Sequence, residues 1–183
     1  MILSILSILN PVSWVKKGVV CLRRPRLEIY YDPDETYHQA LDIGFNRVLG
    51  NFAHVMVRNN GKNVARNCIG ELRRIEVLKE TRFQNVREYR HIMKLKWAHE
   101  KDFASKDIEP DIPRRLDVCY IHKGYDTVHF FTEKYPSGNR TDFPPGEYKI
   151  KIKVKSDNAK GVEKEFIVKY DAGKFDSLVI DNF

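Results

Sequence analysis

The sequence has few cysteines, glycines and prolines and lacks a long uninterrupted apolar run. Three widely spaced cysteines in 183 residues exclude a disulfide scaffold and a four-cysteine metal site. Ten glycines and eight prolines exclude collagen-like and low-complexity chains. The uncharged N-terminal stretch ends at Val15 and contains Pro11, whereas a membrane-spanning helix needs about 20 apolar residues. What remains is a globular chain that is 42% hydrophobic, a size and composition suited to one domain.

The sequence also lacks the motifs that identify common enzymes. It contains no H-E-x-x-H, no G-x-G-x-x-G, no P-loop and no G-x-S-x-G. His122 and His129 flank a predicted turn and could meet as two metal ligands, although half-buried or surface histidines are the commoner case. The sequence therefore predicts no catalytic residue, cofactor or metal. An undetected hydrolase would need a pocket that only coordinates can show.

The net charge of +7 is concentrated at the N-terminus. Residues 1–26 carry five basic and no acidic side chains, which leaves 27 basic (32 − 5) and 25 acidic side chains for the rest of the chain. A basic protein raises nucleic acid as a partner. Because most of the excess lies in one terminal arm, that inference loses much of its force here.

Residues 1–25 form an arm, predicted to be helical, in which an apolar stretch precedes a basic cluster. Such segments lie in a membrane interface with their cations at the headgroups. The residues expected to contact the membrane are Leu3, Leu6, Trp14, Lys16, Lys17, Arg23 and Arg24. The alternatives are an ordinary hydrophobic helix packed on the domain or on a second copy, and a truncated spanning helix. An anionic membrane is thus a predicted partner, and the expected location is the cytoplasm, at the inner face of the membrane.

From residue 26 onward, apolar residues recur mostly with a period of two, which indicates β-strands. Short strands separated by turn residues predict an all-β, antiparallel immunoglobulin-like sandwich over residues 26–170, followed by a C-terminal tail at 171–183. Only residues 34–45 have a helix-like composition. Asp32, Asp34 and Glu35 could ligate calcium, but Asp-Pro-Asp is also how a strand ends and a short helix begins.

The clearest strand pattern lies at residues 146–155. Tyr148, Ile150, Ile152 and Val154 alternate with Lys149, Lys151, Lys153 and Lys155, which predicts one buried and one solvated face. The four lysines could bind phosphates or an acidic partner. The competing interpretation is a solvated face that resists aggregation, with Glu163 and Glu165 on the next strand available for cross-strand ion pairs.

Two stretches resemble known sandwich families. Residues 52–72 are similar to the Val-x-Val-x-Asn-x-Gly pattern of adhesion-related (CARDB-type) domains of bacteria and archaea, with Val55, Val57, Asn59, Gly61 and Ala65 at the matching positions. Residues 144–154 resemble the Pro-Gly-x-Tyr-x-Val strand of these domains and of polycystic-kidney-disease-type repeats. The resemblance implies an immunoglobulin-like fold in which Tyr148 begins a late strand and its hydroxyl bonds to a nearby loop. It says little about function, since such folds have many unrelated roles.

The cysteines on predicted strands leave one question open. Cys68 and Cys119 are expected to be small buried hydrophobes, and a disulfide between them requires a Cα separation below about 7 Å. Taken together, the sequence favours a non-catalytic binding or structural module with an unknown protein partner and a membrane-associated arm. The alternative is a nucleic-acid-binding protein that uses the four lysines and the basic region at 73–101.

Overall fold

The computed structural model describes residues 24–35, 37–43, 46–87, 89, 91–133 and 142–183. Among the residues expected to contact a membrane, Arg24 is described and is exposed, whereas the others lie outside the described residues.

The described residues form fourteen strands and two short 3₁₀ helices, Pro33–Glu35 and Phe175–Ser177. The first half of the strands is β1 (Leu27–Tyr30), β2 (Tyr37–Ile43), β3 (Asn46–Asn59), β4 (Ala65–Lys79), β5 (Arg82–Asn85), β6 (Met93–Lys94) and β7 (Lys96–Trp97). The second half is β8 (Lys106–Ile108), β9 (Arg114–His122), β10 (Val128–Phe130), β11 (Asp142–Phe143), β12 (Gly146–Lys155), β13 (Val162–Tyr170) and β14 (Val179–Asn182).

The strands form two antiparallel sheets. The first sheet has the order β1-β3-β9-β10-β11, with β2 also paired to β3 and β7 to β9. The second sheet has the order β14-β13-β12-β4-β5, with β6 and β8 also paired to β4. The two long strands β3 and β4 are consecutive in sequence but lie in different sheets. This two-sheet architecture confirms the predicted all-β sandwich.

Apolar side chains from both sheets form one core. Val55 and Val57 of the first sheet lie in the same buried cluster as Ile150, Ile152 and Val154 of the second. Along β12 the burial alternates as the sequence predicts: the aliphatic residues are buried, and the lysines between them are partly exposed. The period of two in this strand therefore identifies its core face.

Tyr148 is 1% exposed, and its hydroxyl donates a hydrogen bond to the Pro144 carbonyl oxygen at 2.5 Å. This confirms the predicted inward orientation and the bond to a neighbouring loop. We expect Tyr148→Phe to lower the free energy of unfolding by about 0.5–1.5 kcal/mol, because the ring stays packed and the bond is lost. Urea denaturation followed by circular dichroism measures the change, and an unaltered midpoint would contradict the assigned role of the hydroxyl.

The structure corrects two expectations about the less regular parts of the chain. The stretch expected to be helix-like contains the strand β2, because its backbone pairs with β3 from Asn46 to Phe52. The segment assigned to a C-terminal tail contains β14, which pairs with β13. Leu178, just before β14, and Ile180, within it, are buried. The sandwich therefore extends beyond residue 170.

The end of β1 at Tyr30, just before Asp32-Pro33-Asp34, agrees with the turn interpretation of Asp-Pro-Asp. The Asp34 amide donates to the Asp32 carboxylate at 3.1 Å, and the 3₁₀ helix Pro33–Glu35 follows directly. This carboxylate therefore accepts a backbone N–H at the turn, as short acidic side chains commonly do.

Cys68 and Cys119 are free and buried, which answers the question of their pairing. Cys68 lies on β4 and Cys119 on β9, so they belong to different sheets. Burial raises the pKa of the Cys68 thiol to about 11 and also raises that of Cys119. Both groups are therefore neutral thiols near pH 7, unsuited to act as nucleophiles.

Candidate functional site

The four lysines of β12 lie together on the outer face of the second sheet, and each has a carboxylate partner. The pairs and their N–O distances are Lys149–Glu76 (2.7 Å), Lys151–Glu165 (3.4 Å), Lys153–Glu163 (2.7 Å) and Lys155–Glu71 (2.5 Å). The predicted cross-strand pairing with Glu163 and Glu165 is thus confirmed.

These ion pairs follow from the register of the central strand. β12 lies between β4 and β13, and the Cα partners of Lys149 and Lys153 are Glu76 and Glu163. The hydrogen bond from Lys153 lowers the pKa of Glu163, which keeps that carboxylate ionised. Most of the positive charge on this face is therefore neutralised within the sheet. This pattern favours a solvated face with internal pairing over a row of free cations.

His122 and His129 lie close together, as expected for residues on either side of a turn. Their ring centroids are 5.1 Å apart, and the His129 Nδ1 lies 2.8 Å from the Asp142 Oδ1. Burial, followed by the charge of His129, lowers the pKa of His122. The described residues contain no group of three or more histidine, cysteine or acidic side chains that could hold a metal ion.

An aromatic cluster adjoins this pair on the outer face of the first sheet. The Tyr120 ring stacks on His129 at 5.1 Å and on Phe52 at 5.6 Å, and it contacts Phe131 at 4.9 Å. Burial raises the pKa of the Tyr120 hydroxyl. Phe52 is only 2% exposed, so this face of the first sheet is packed, unlike the charged outer face of the second.

A cleft of about 400 Å³ lies where β7 leaves β9. Trp97 and Met56 contribute apolar surface to it. Its ionisable lining residues are His99, Glu100, Lys106, Arg114 and Arg115. Ligand sites in proteins commonly have volumes of about 300–1,000 Å³ and combine apolar walls with a few polar groups, so this cleft is large enough for a small molecule.

A backbone turn holds one wall of the cleft against the start of β9. The Ala98 amide donates to the Arg115 carbonyl at 3.1 Å, and the Glu100 amide donates to the Trp97 carbonyl at 3.2 Å. His99, between them, has a left-handed φ of 65°. Residues other than glycine adopt this conformation uncommonly, and it is typical of tight turns. The turn therefore fixes where His99 and Glu100 project.

The charges of the cleft do not balance. Three basic residues, Lys106, Arg114 and Arg115, and one acidic residue, Glu100, line it, and Lys106 pairs with Glu100. The Arg114 Nε is buried and has no hydrogen-bond partner among the described residues, where Arg114 also forms no ion pair. A buried donor without an acceptor is uncommon in folded proteins. The Nε atoms of Arg58 and Arg74 are in the same state, but their guanidinium groups pair with Glu28 and Glu165.

A second opening, of about 530 Å³, lies at one end of the sandwich beside Tyr148 and Pro144. Its charged lining residues are Lys79 and Arg87. Arg87, in its wall, adjoins a part of the chain outside the described residues. The cleft at Arg114 is the stronger candidate because four charged residues line it, against two at this opening.

The cleft was not among the sites predicted from the sequence. Its residues come from four separate stretches, and the only local signal is Pro113-Arg114-Arg115 directly before a predicted strand. The predicted lysine face, by contrast, is present as a surface but is internally paired.

Comparisons with protein-family models, with curated proteins and with solved structures find no match. In the part of the chain that the structure describes, no helix is both long and apolar enough to cross a membrane.

Proposed function

We propose that the protein is a non-catalytic binding module that its N-terminal arm holds at an anionic membrane surface. The observation that carries this proposal is the division of charge. The lysine face of the second sheet is paired with carboxylates, whereas residues 1–26, the arm and Arg26, have five basic and no acidic residues. The arm is therefore the principal source of positive charge for an anionic surface, and it also contains the apolar residues that an interfacial segment needs.

We also propose that the sandwich is of the immunoglobulin-like type found in adhesion-related and polycystic-kidney-disease-type domains. Asn59, in the first matching motif, is fully buried and joins neighbouring segments. Its Oδ1 accepts from the amides of Arg26 and Gly61, and its Nδ2 donates to the carbonyl of Ile108 at 3.1 Å. A Cβ at Gly61 would overlap the backbone of Arg24, which explains the need for glycine. In the second matching motif, the Tyr148 hydroxyl donates to the Pro144 carbonyl oxygen, which is the loop contact that the resemblance implies.

The nucleic-acid alternative would use the lysines of β12. These would have to exchange their carboxylate partners for phosphates, and two of those partners, Glu71 and Glu76, are largely buried. Each would keep an arginine partner, Arg73 for Glu71 and Arg74 for Glu76, but removing one of two cations from a largely buried carboxylate is still costly. The paired lysines therefore favour the membrane proposal over this alternative.

Co-sedimentation of the full chain with anionic vesicles tests the membrane proposal. Each basic residue near such a surface contributes about 1 kcal/mol. In the arm-neutralised chain, Lys16, Lys17, Arg23 and Arg24 are replaced with glutamine, and we expect its binding to be weaker by about two to three orders of magnitude. Replacing Leu3, Leu6 and Trp14 with serine should remove the part of the binding that resists high salt.

A control variant with the same charge change separates the arm from overall charge. It replaces Lys62, Lys79, Lys123 and Lys160 with glutamine, all of which are exposed on the sandwich. We expect this control to bind vesicles nearly as well as the unmodified chain. An equal loss in the control, or an unmodified chain that ignores vesicles, would contradict the proposal. Tight oligonucleotide binding with a steep salt dependence would favour the nucleic-acid alternative instead.

A further inference from the structure

We infer that His122 and His129 together bind one divalent transition-metal ion of the zinc or copper type. The inference goes beyond the membrane proposal and does not depend on the arm. It rests on two histidines that lie side by side on the outer face of the first sheet, where both side chains are partly exposed to solvent.

The first argument is the distance between the two rings. An ion with tetrahedral ligands binds imidazole nitrogens at about 2.0–2.1 Å, which places the centres of two bound rings about 5 Å apart. The centres of the His122 and His129 rings are 5.1 Å apart, and the ring planes are inclined by 62°. The spacing of the pair therefore matches that of two ligands of one ion.

The register of the sheet produces this spacing. The Cα partner of His129 on β9 is Tyr120, and His122 follows Tyr120 by two residues on the same face of the strand. His122 and His129 are thus diagonal neighbours across a strand pair. The Tyr120 ring contacts both of them, with ring centres 5.0 and 5.1 Å away. The sheet and Tyr120 hold the pair together before any ion binds, which reduces the entropy that binding costs.

The second argument is that each ring has a nitrogen that the described protein leaves unused. His129 places its Nδ1 2.8 Å from the Asp142 carboxylate, and the described residues give its Nε2 no hydrogen bond. A carboxylate on the other ring nitrogen is the usual partner of a metal-binding histidine, because it orients the ring and fixes the tautomer. The His122 Nδ1 is buried and has no hydrogen-bond partner among the described residues.

The third argument is the protonation state of the pair, and the ligand type selects the metal. Burial, followed by the charge of His129, lowers the pKa of His122, so this ring keeps the neutral form that binds metals down to a lower pH. Imidazole nitrogens favour Zn²⁺ and Cu²⁺, whereas Mg²⁺ prefers oxygen ligands. The described residues provide no group of three or more ligand side chains, so water completes the coordination and the site is an open one.

The test is a calorimetric titration of the full chain with zinc chloride, with magnesium chloride as the comparison. We expect zinc to bind, and His122→Gln and His129→Gln each to weaken its binding at least tenfold, because a single imidazole remains. Magnesium should show no binding that depends on either histidine. His91→Gln is the matched control: His91 is an exposed histidine between β5 and β6 and should have no effect.

A second measurement needs no variant. In NMR spectra of the unmodified chain, zinc should shift the ring nitrogen resonances of both His122 and His129, and these shifts should saturate with the calorimetric affinity. If a glutamine variant does not fold, as judged by circular dichroism, this measurement still decides whether both rings bind the ion. The arm-neutralised chain should show the same shifts, so failure of the membrane proposal leaves the test intact.

Three results would overturn the inference. The first is a folded full chain that binds no zinc. The second is zinc binding that only one of the two glutamine variants weakens, or neither, because a shared ion requires both rings. The third is an equal loss in His91→Gln, which would assign the binding to scattered surface histidines.

Discussion

Replacing Ile152 with alanine should lower the free energy of unfolding by about 2–5 kcal/mol. Ile152 has no exposed surface and lies in the middle of β12, where its side chain enters the core between the two sheets. Deleting its outer atoms removes buried apolar contacts and leaves a cavity that the surrounding β-strands can fill only in part. Urea denaturation followed by circular dichroism measures the loss.

Lys151→Ala is the control for this prediction. Lys151 precedes Ile152 on the same strand but points to the outer face, where its nearest carboxylate is that of Glu165 at 3.4 Å. Such partly exposed pairs contribute little, so the change should stay within about 0.5–1 kcal/mol. Comparable losses at the two positions would mean that the assigned faces of β12 are wrong.

Replacing Trp97 with alanine should cost about 3–5 kcal/mol. Trp97 is 1% exposed, and its Nε1 donates to the Cys68 carbonyl at 3.2 Å. Since Trp97 lies on β7 of the first sheet and Cys68 on β4 of the second, this bond joins the two layers. Alanine removes the bond and most of the buried aromatic surface, and it leaves a buried carbonyl without its donor.

Two further variants separate these contributions. Trp97→Phe keeps an aromatic ring but loses the N–H, so its loss should be smaller than that of alanine and still measurable. Tyr125→Ala removes an aromatic ring that is 54% exposed and should change stability by about 0.5 kcal/mol or less. If Trp97→Ala were no more harmful than Tyr125→Ala, Trp97 would not be a core residue that joins the sheets.

The parts of the fold that could be predicted are those in which one face of a strand is apolar and the other polar. β12 is the clearest case, because Ile150 and Ile152 alternate with Lys149 and Lys151 and the structure buries only the isoleucines fully. The sequence of β12 is therefore sufficient to predict which of its faces is buried. The pairing of Lys153 with Glu163 could also be predicted, since both strands share the same alternation.

Local composition failed where distant pairing decides the structure. Residues 37–43 contain Gln39, Ala40 and Leu41, which favour a helix, yet the backbone pairs with β3. Likewise, β14 has only a short apolar pattern and becomes a strand because the edge of β13 is available to it. In both cases the information lies in the partner strand and not in the segment itself.

The cleft could not be predicted because nothing in the sequence links its parts. Arg114 and Lys106 are separated by a loop, and Met56 lies on a strand far earlier in the chain. What identifies the site is the arrangement of these residues around one opening, a property of the folded chain alone. The arm, in contrast, is proposed from composition, because its apolar and basic residues are contiguous.

Fractionation of cells that produce the native chain tests the membrane proposal most directly. The account predicts that the protein sediments with membranes at low salt, that high salt releases only part of it, and that the arm-neutralised chain keeps only the salt-resistant part of this binding. A native chain found entirely in the supernatant at low salt, with the arm-neutralised chain behaving identically, would contradict it.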